Sequence, residues 1–240
     1  VLRQMLNNYD RRDALVALWL ELLGESLLRQ GRWDEAYQAY VAAIEKNEDR
    51  EWLQHIGMGR ALTKGNQAPE AIEAEFHKAI ALAPDQAEGF DAMGDFYMME
   101  GRYGGAVRMY GEAIFHVPRE HQKYLGWLYL KRGRAALAGS DLSTAVNTLK
   151  VATSMFPEDP ELHFLLAQAY FRLDNAPLAI QMLDQSLSLG VSPSVGRLMH
   201  AARLYEQAGD SPRALEAYCR ALALDPENEA AQAGVKRHSQ

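Results

Sequence analysis

The chain has 240 residues, of which 48% are hydrophobic, and 25 Lys and Arg against 32 Asp and Glu give it a formal net charge of -7. This composition excludes a disordered chain, and the negative balance argues against nucleic acid as a partner. The single cysteine, Cys219, excludes an internal disulfide and cysteine-based metal clusters, which fits a reducing compartment and favours the cytoplasm.

The amino-terminal segment begins with a short apolar pattern. Leu2, Met5 and Leu6 have helical spacing and precede a polar stretch, Tyr-Asp-Arg-Arg-Asp, that predicts a turn. Residues 1–16 are therefore expected to be the end of a preceding helix or a truncated repeat. The segment starts with valine and shows no signal-peptide pattern, so the sequence is expected to be a processed chain or an excised fragment. The longest apolar run, residues 14–20, is shorter than the roughly 18 residues of a membrane helix, so no membrane insertion is expected.

From residue 17 onward, one pattern returns about every 34 residues. The six frames are residues 17–50, 52–86, 87–120, 126–159, 160–193 and 195–228. Their eighth residue is small: Gly24, Gly59, Gly94, Gly133, Ala167 and Ala202. Their twenty-fourth residue, or the twenty-fifth in the longer second frame, is large: Tyr40, Phe76, Tyr110, Leu149, Leu183 and Tyr218. The alternation predicts two packed helices per frame, A and B, in which the large side chain enters the space that the small residue leaves.

The glycine-rich stretch MEGRYGGAV (residues 99–107) raises the question of a phosphate-binding loop. Such a loop follows a strand, whereas Phe90, Met93 and Tyr97 before it have the spacing of a helix face. The alignment of the frames makes Gly101 the turn between helices A and B of the third frame. Gly104 and Gly105 then begin helix B, which predicts a loose first turn or a close approach to the fourth repeat.

Three features depart from the regular frame. The second frame has one extra residue, which predicts a bulge in helix B near Glu75. Five extra residues, 121–125, precede the fourth frame, so its helix A is expected to start early and to divide repeats 1–3 from repeats 4–6. Residues 229–240 are expected to form a capping helix and tail.

These frames resemble the tetratricopeptide repeat (TPR) family, whose 34-residue units each form two antiparallel helices. The resemblance implies an all-α, right-handed α-solenoid of six repeats over residues 17–228, closed by the carboxy-terminal capping helix. It also implies that the A helices line a concave face.

The sequence contains no convincing catalytic constellation. His55 and His163 fall on a packing position of helix A, and Pro118 separates His116 from His121. Cys219 has no evident group that would lower its pKa. No catalytic residue, metal site or cofactor is therefore predicted, and the chain is not expected to be an enzyme.

In the family, partner-contacting side chains come chiefly from positions 2, 5, 9, 12 and 13 of helix A. The first half of this chain is acidic there, and the second half is aromatic with surrounding arginines. The predicted partner-binding residues are Glu21, Glu25, Arg60, Asp91, Asp95, Trp127, Leu130, Arg134, Phe164, Gln168, Phe171, Arg172 and Arg203. For each residue the alternative is packing between helices.

The leading hypothesis is a scaffold or adaptor that binds a peptide or helix of another protein in the concave groove of repeats 3–5. The Lys and Asn pair with which chaperone-binding members grip a terminal carboxylate is missing at positions 5 and 9, which disfavours that clamp. The alternative is a substrate-recruiting or regulatory arm of a larger enzyme or signalling protein. Exposed solenoid ends also allow weak self-association.

Overall fold

The computed structural model describes residues 2–47, 49–118, 120–189 and 194–239, with side chains from Arg12 onward. Within these residues the secondary structure is helical, with no strand. The helices are α1 (Leu2–Arg29), α2 (Trp33–Lys46), α3 (Glu51–Lys64), α4 (Pro69–Leu82), α5 (Ala87–Met99), α6 (Tyr103–His116), α7 (Gln122–Ala138), α8 (Leu142–Met155), α9 (Pro160–Arg172), α10 (Ala176–Ser188), α11 (Val195–Gln207), α12 (Ser211–Leu224) and α13 (Glu229–His238).

The helices form an all-α repeat architecture in two compact units, Val1–Leu128 and Tyr129–Gln240. Odd-numbered helices are the A helices and the even-numbered helices up to α12 are the B helices. In the first unit α1, α3 and α5 pack against the helices that follow them, and in the second unit α9 and α11 do the same. The division between the units falls inside α7.

Each A–B turn uses the same backbone geometry. The second residue of the turn has a positive φ. The third residue donates its backbone N–H to the carbonyl of the residue five positions before it, as Arg102 does to Tyr97 at 2.8 Å. The positive-φ residues are Gly31, Asn66, Gly101, Ser140, Asp174 and Gly209. The interpretation of Gly101 as a turn is therefore confirmed.

The predicted packing of large residues against small ones is also confirmed. Tyr40 is buried against Gly24, where a Cβ atom would lie 2.7 Å from the Cζ atom of its ring. Gly59 faces Phe76 in the same way, and Gly94 faces Tyr110, each with a distance of 2.6 Å to the nearest ring atom. Because these rings occupy the volume of the missing side chains, glycine lets the two helices of a repeat approach closely.

Two sequence predictions were wrong. Residues 9–13 form no turn, because α1 runs without interruption from Leu2 to Arg29. Residues 1–23 contain neither glycine nor proline, so nothing in them breaks a helix. The expected bulge near Glu75 is absent as well: α4 is α-helical throughout, and the extra residue lies in the turn of residues 65–68, which is one residue longer than the other A–B turns. Ile72 therefore takes the buried position expected for Ala71.

Gly104 and Gly105, at the start of α6, form neither the loose first turn nor the approach to the fourth repeat that the sequence predicted. The helix is regular from Tyr103, and Gly105 approaches Tyr97 of its own repeat rather than the fourth repeat. Two other predictions are confirmed. Helix α7 starts early, at Gln122, and α13 caps the last repeat, with Ala231 buried in the core and Gly234 against the ring of Tyr218.

Candidate functional site

In the first unit, the predicted acidic residues of the A helices are held by tyrosines. The hydroxyl of Tyr40 on α2 donates to Glu25 at 3.3 Å, and that of Tyr110 on α6 donates to Asp95 at 2.7 Å. Burial and the neighbouring carboxylate raise the pKa of both tyrosine hydroxyls, so they remain donors at neutral pH. These carboxylates therefore have a structural function within each repeat.

Two further carboxylates of the acidic half, Asp91 and Glu21, are also in contact with neighbours. Asp91 is buried and accepts from the Tyr124 hydroxyl at 3.3 Å, and Glu21 is 3.5 Å from Arg50. Arg60 is exposed on α3. Asp91 and Glu21 therefore also take part in contacts within the chain.

In the second unit, aromatic side chains of α9 and α11 form one cluster. Phe164 and Phe171 lie on α9, and both rings meet the imidazole of His200 on α11 edge-on, with centroid distances of 5.6 and 5.2 Å. Phe164 is only 8% exposed, whereas Phe171 is partly exposed. Burial, together with the nearby positive charge of Arg203, lowers the pKa of His200, so its ring is neutral at pH 7.

Arginines surround this cluster. Arg134 on α7 donates to Glu161 on α9 at 2.8 Å, and Arg197 on α11 donates to the other oxygen of the same carboxylate. The guanidinium carbon of Arg197 also lies 4.5 Å from the centroid of the Phe164 ring, a cation–π arrangement. Glu161 thus joins three successive A helices of the second unit.

The other predicted residues have mixed surroundings. Arg172 donates to the backbone carbonyl of Leu137 and, at 2.8 Å, to the hydroxyl of Ser140, so it joins α9 to the turn after α7. Leu130 is buried, Gln168 is partly buried, and Trp127, on the part of α7 in the first unit, is 49% exposed. Arg203 is exposed.

Three residues of this cluster were not predicted from the sequence: Glu161, Arg197 and His200. Glu161 occupies position 2 of its repeat, which the family resemblance already pointed to. Arg197 and His200 occupy positions 3 and 6, and the pattern gave no signal for them because their proximity to Phe164 depends on how α9 packs against α11.

Comparison with known protein families decides the classification. Models described as tetratricopeptide repeat match residues 11–87, 130–190 and 196–228. The chain belongs to the tetratricopeptide repeat family. TPR chains are generally non-catalytic scaffolds that bind other proteins. A search of curated proteins finds no match.

Solved structures with the same fold include three of similar size. Pseudomonas aeruginosa PilF matches with a TM-score of 0.71 and 17% identity over 94% of this chain and 99% of its own. The carboxy-terminal part of a TPR protein from Cytophaga hutchinsonii matches with a TM-score of 0.72 and 14% identity over 97% and 92%. YrrB, described as a TPR protein with an unusual peptide-binding site, matches with a TM-score of 0.64 and 20% identity over 83% and 99%. At these identities the likeness concerns the TPR fold alone.

A second surface of this TPR chain lies on α1. Six large apolar side chains are at least 40% exposed there, among them Trp19 at 73%, Leu22 at 59% and Leu15 at 58%. Leu15, Trp19 and Leu22 recur at i, i+4 and i+7 and so share one helix face. The sequence predicted only that solenoid ends allow self-association, and these residues were not predicted.

The remaining candidate groups are structural or isolated. His55 is buried, with Nδ1 2.5 Å from Glu75, and His163 is buried with Nε2 2.8 Å from the carbonyl of Pro157. Cys219 is exposed.

Among the residues with described side chains, no group of three His, Cys, Asp or Glu could hold a metal ion. No described helix is both long and apolar enough to cross a bilayer.

Proposed function

We propose that this TPR chain binds a peptide or helix of another protein on the A-helix face of its second unit, at a surface formed by Phe171, His200, Arg134 and Arg203, hereafter the aromatic surface. The observation that carries the proposal is a partly exposed aromatic side chain, Phe171, that packs against the imidazole of His200, which in turn lies near the positive charge of Arg203. Aromatic residues and arginines are the residue types that dominate binding energy at protein interfaces. Binding, without catalysis, is the proposed activity.

Within this surface, Phe171 is the best candidate for the anchor. Phe164 is nearly buried and supports the ring of His200 from below the surface, so its loss would mainly open a cavity. Phe171 contacts the same imidazole from a partly exposed position. The peptide-binding site described for YrrB agrees with a peptide as the partner.

Affinity capture followed by titration tests the proposal. A protein captured by the wild-type chain is titrated against the wild type, Phe171→Ala and Leu222→Ala. Leu222 is the matched control, because it also packs partly buried against the core of the second unit but lies on helix B, α12. We expect Phe171→Ala to weaken binding at least about tenfold and Leu222→Ala to leave it within about twofold. Equal affinities of all three chains would refute this binding site.

A second candidate function, self-association, is favoured by the exposed apolar face of α1. Contiguous apolar patches are rare on the surfaces of monomeric proteins, since they cost free energy in water. Sedimentation over a range of concentrations should detect a dimer that Trp19→Asp abolishes. Phe115→Asp is the control, because Phe115 is 81% exposed but lies on α6. A wild-type chain that stays monomeric at high concentration would contradict this function.

A further inference from the structure

A cavity of about 310 Å³ lies between helix α2 of the first repeat and the A–B turn of the second repeat, and it shares no residue with the aromatic surface. Trp33 and Tyr37 line this cavity from α2, and both side chains are partly buried. Because they are one helical turn apart, their Cβ atoms lie about 6 Å from each other on one face of α2. The cavity therefore presents two neighbouring aromatic side chains.

The longer A–B turn of the second repeat supplies a further wall of the cavity. In the other A–B turns the third residue is also the N-cap of helix B, whereas in the second repeat Ala68 is the N-cap of α4. The third residue of this turn is Gln67. Its backbone N–H donates to the carbonyl of Leu62 at 3.0 Å, and both residues line the cavity. The extra residue of this repeat thus leaves Gln67 at the cavity and not at the helix end.

The side chain of Trp33 packs against two turns. A Cβ atom on Gly31, in the turn before α2, would lie 3.6 Å from Cζ2 of the indole. A Cβ atom on Gly65, in the turn of the second repeat, would lie 3.6 Å from Cβ of Trp33. A side chain that is held in place before binding loses little conformational entropy when a ligand packs on it.

Four side chains that line the cavity can donate hydrogen bonds. They are the indole of Trp33, the hydroxyl of Tyr37 and the amides of Gln38 and Gln67. None of the four has a hydrogen-bond partner among the residues that the structure describes. They can therefore bind carbonyl oxygens of a ligand without the loss of a contact within the chain.

We propose that this cavity binds a proline-rich segment of a partner protein in the polyproline II conformation. Such a segment has backbone carbonyls with no internal hydrogen bond, and proline has no N–H that would need an acceptor in the cavity. Its rings pack on aromatic side chains, as in other domains that recognise this conformation. An organic cation also packs on aromatic rings but offers no acceptor to the four donors.

The edge of the cavity adds a preference for charge. Asp34 on α2 lines the cavity, is exposed, and forms no ion pair among the described residues. The neighbouring Glu35 is paired with Arg32. Asp34 is the one charged side chain among the residues described as lining the cavity. Its negative charge favours Lys or Arg next to the prolines.

An NMR titration of the intact chain with synthetic peptides tests the proposal. The probes are decaproline with acetylated and amidated ends, the same peptide flanked by two arginines or by two glutamates, and tetramethylammonium as a cation. The indole N–H resonance of Trp33, assigned by its loss in Trp33→Phe, reports occupation of the cavity. Affinities are then measured for the wild type, Tyr37→Phe, Gln67→Ala, Asp34→Asn and Tyr103→Phe. Tyr103 is the matched control, because it begins helix B of the third repeat, α6, and is partly buried like Trp33 and Tyr37.

We expect decaproline to shift the Trp33 resonance to saturation, and the arginine-flanked peptide to bind more tightly than the glutamate-flanked one. Tyr37→Phe and Gln67→Ala should each weaken binding about fivefold, through the loss of one hydrogen bond. Tyr103→Phe should leave binding unchanged. Asp34→Asn should remove the preference for the arginine-flanked peptide.

The opposite results would overturn the proposal. A Trp33 resonance that responds to tetramethylammonium but not to decaproline would identify a cation site instead. No response to any peptide, or binding that neither Tyr37→Phe nor Gln67→Ala weakens, would also refute it. Equal affinities for the two flanked peptides would overturn the charge preference. Phe171→Ala should leave this binding unchanged, so the result is independent of the aromatic surface.

Discussion

Gly105 lies so close to the ring of Tyr97 that a Cβ atom on it would be 2.8 Å from Cδ2 of that ring. The ring is fixed on other sides as well. Its hydroxyl donates to Glu73 at 3.3 Å, and the guanidinium carbon of Arg102 lies 4.2 Å from its centroid. The neighbouring Gly104 has no atom within 4 Å of the equivalent position.

Substitution of either glycine by alanine should therefore change the free energy of unfolding, in opposite directions for Gly104 and Gly105. Gly104→Ala is expected to raise the free energy of unfolding by up to about 1 kcal/mol, because alanine favours the helix and meets nothing. Gly105→Ala is expected to lower it by about 1–2 kcal/mol, since overpacking against Tyr97 outweighs the same gain. Urea unfolding of both variants measures the difference, and a stabilising Gly105→Ala would show that Tyr97 moves freely.

The A–B turns predict a second pair of opposite effects. Gly101 has a φ of 69° and open space around it, so Gly101→Ala should cost about 1 kcal/mol through backbone conformation alone. Asp174 occupies the equivalent place in the fifth repeat with a φ of 56°, so Asp174→Gly should stabilise the chain by a smaller amount. Thermal and urea unfolding test both. A destabilising Asp174→Gly would mean that the aspartate side chain stabilises the turn.

Glu206 attaches the capping helix α13 to the last repeat. One of its oxygens lies 2.8 Å from Arg237 and 2.8 Å from His238. Burial raises its pKa, but hydrogen bonds from these residues and from Tyr218 outweigh that effect and lower the pKa to about 2. Glu206→Gln should therefore accelerate hydrogen exchange in α13, whereas Glu216→Gln, at an exposed position on α12, should not.

The same group makes stability depend on pH. Because the folded pKa of Glu206 lies below its ordinary value of 4.5, its contribution is complete above about pH 4.5 and is lost as pH falls toward 2. Urea unfolding between pH 6 and 3 should show a smaller decrease for Glu206→Gln than for the wild type. Equal decreases would contradict the attachment by a charged Glu206.

The buried pair of His55 and Glu75 joins α3 to α4 in the second repeat. Nδ1 of His55 is 2.5 Å from Glu75, and Lys78 donates to the same carboxylate at 3.1 Å. Although burial raises the pKa of Glu75, these hydrogen bonds lower it overall. A double-mutant cycle of His55→Gln and Glu75→Gln should give a coupling energy of about 1–3 kcal/mol. A cycle of His55→Gln with Glu112→Gln, at an exposed position on α6, is the control and should give no coupling energy. A coupling energy near zero between His55 and Glu75 would contradict the pair.

Several elements could be predicted from the sequence because the same residue pattern recurs in each repeat. The pairing of Gly24 with Tyr40 and of Gly94 with Tyr110 follows from a fixed spacing within one frame, and so does the left-handed turn at Gly101. The early start of α7 and the cap at α13 followed from departures at known places in that frame. Contacts within one helical hairpin are close in sequence, so local spacing is sufficient to predict them.

The errors have an equally physical cause. One extra residue in the second repeat can be placed in a bulge or in a longer turn, and the sequence alone does not distinguish them. The structure places it in the turn of residues 65–68, which leaves α4 regular and buries Ile72. At residues 9–13 polar side chains suggested a turn, but without glycine or proline the backbone stays helical.

The candidate site depends on contacts between successive repeats, which local sequence spacing does not predict. Phe164 and Phe171 occupy positions that were equally favoured for partner binding, and His200 on the next A helix packs against both. Phe164 is nevertheless nearly buried, whereas Phe171 is partly exposed. Arg172 is one of the predicted partner-binding residues, and its guanidinium also donates to the carbonyl of Leu137 and the hydroxyl of Ser140 at the end of α7. By itself the sequence determined the repeat, its helices and their internal packing, all of which depend on residues fewer than about 30 positions apart. Only the tertiary structure decided which helix A side chains remain exposed, because that depends on contacts between successive repeats.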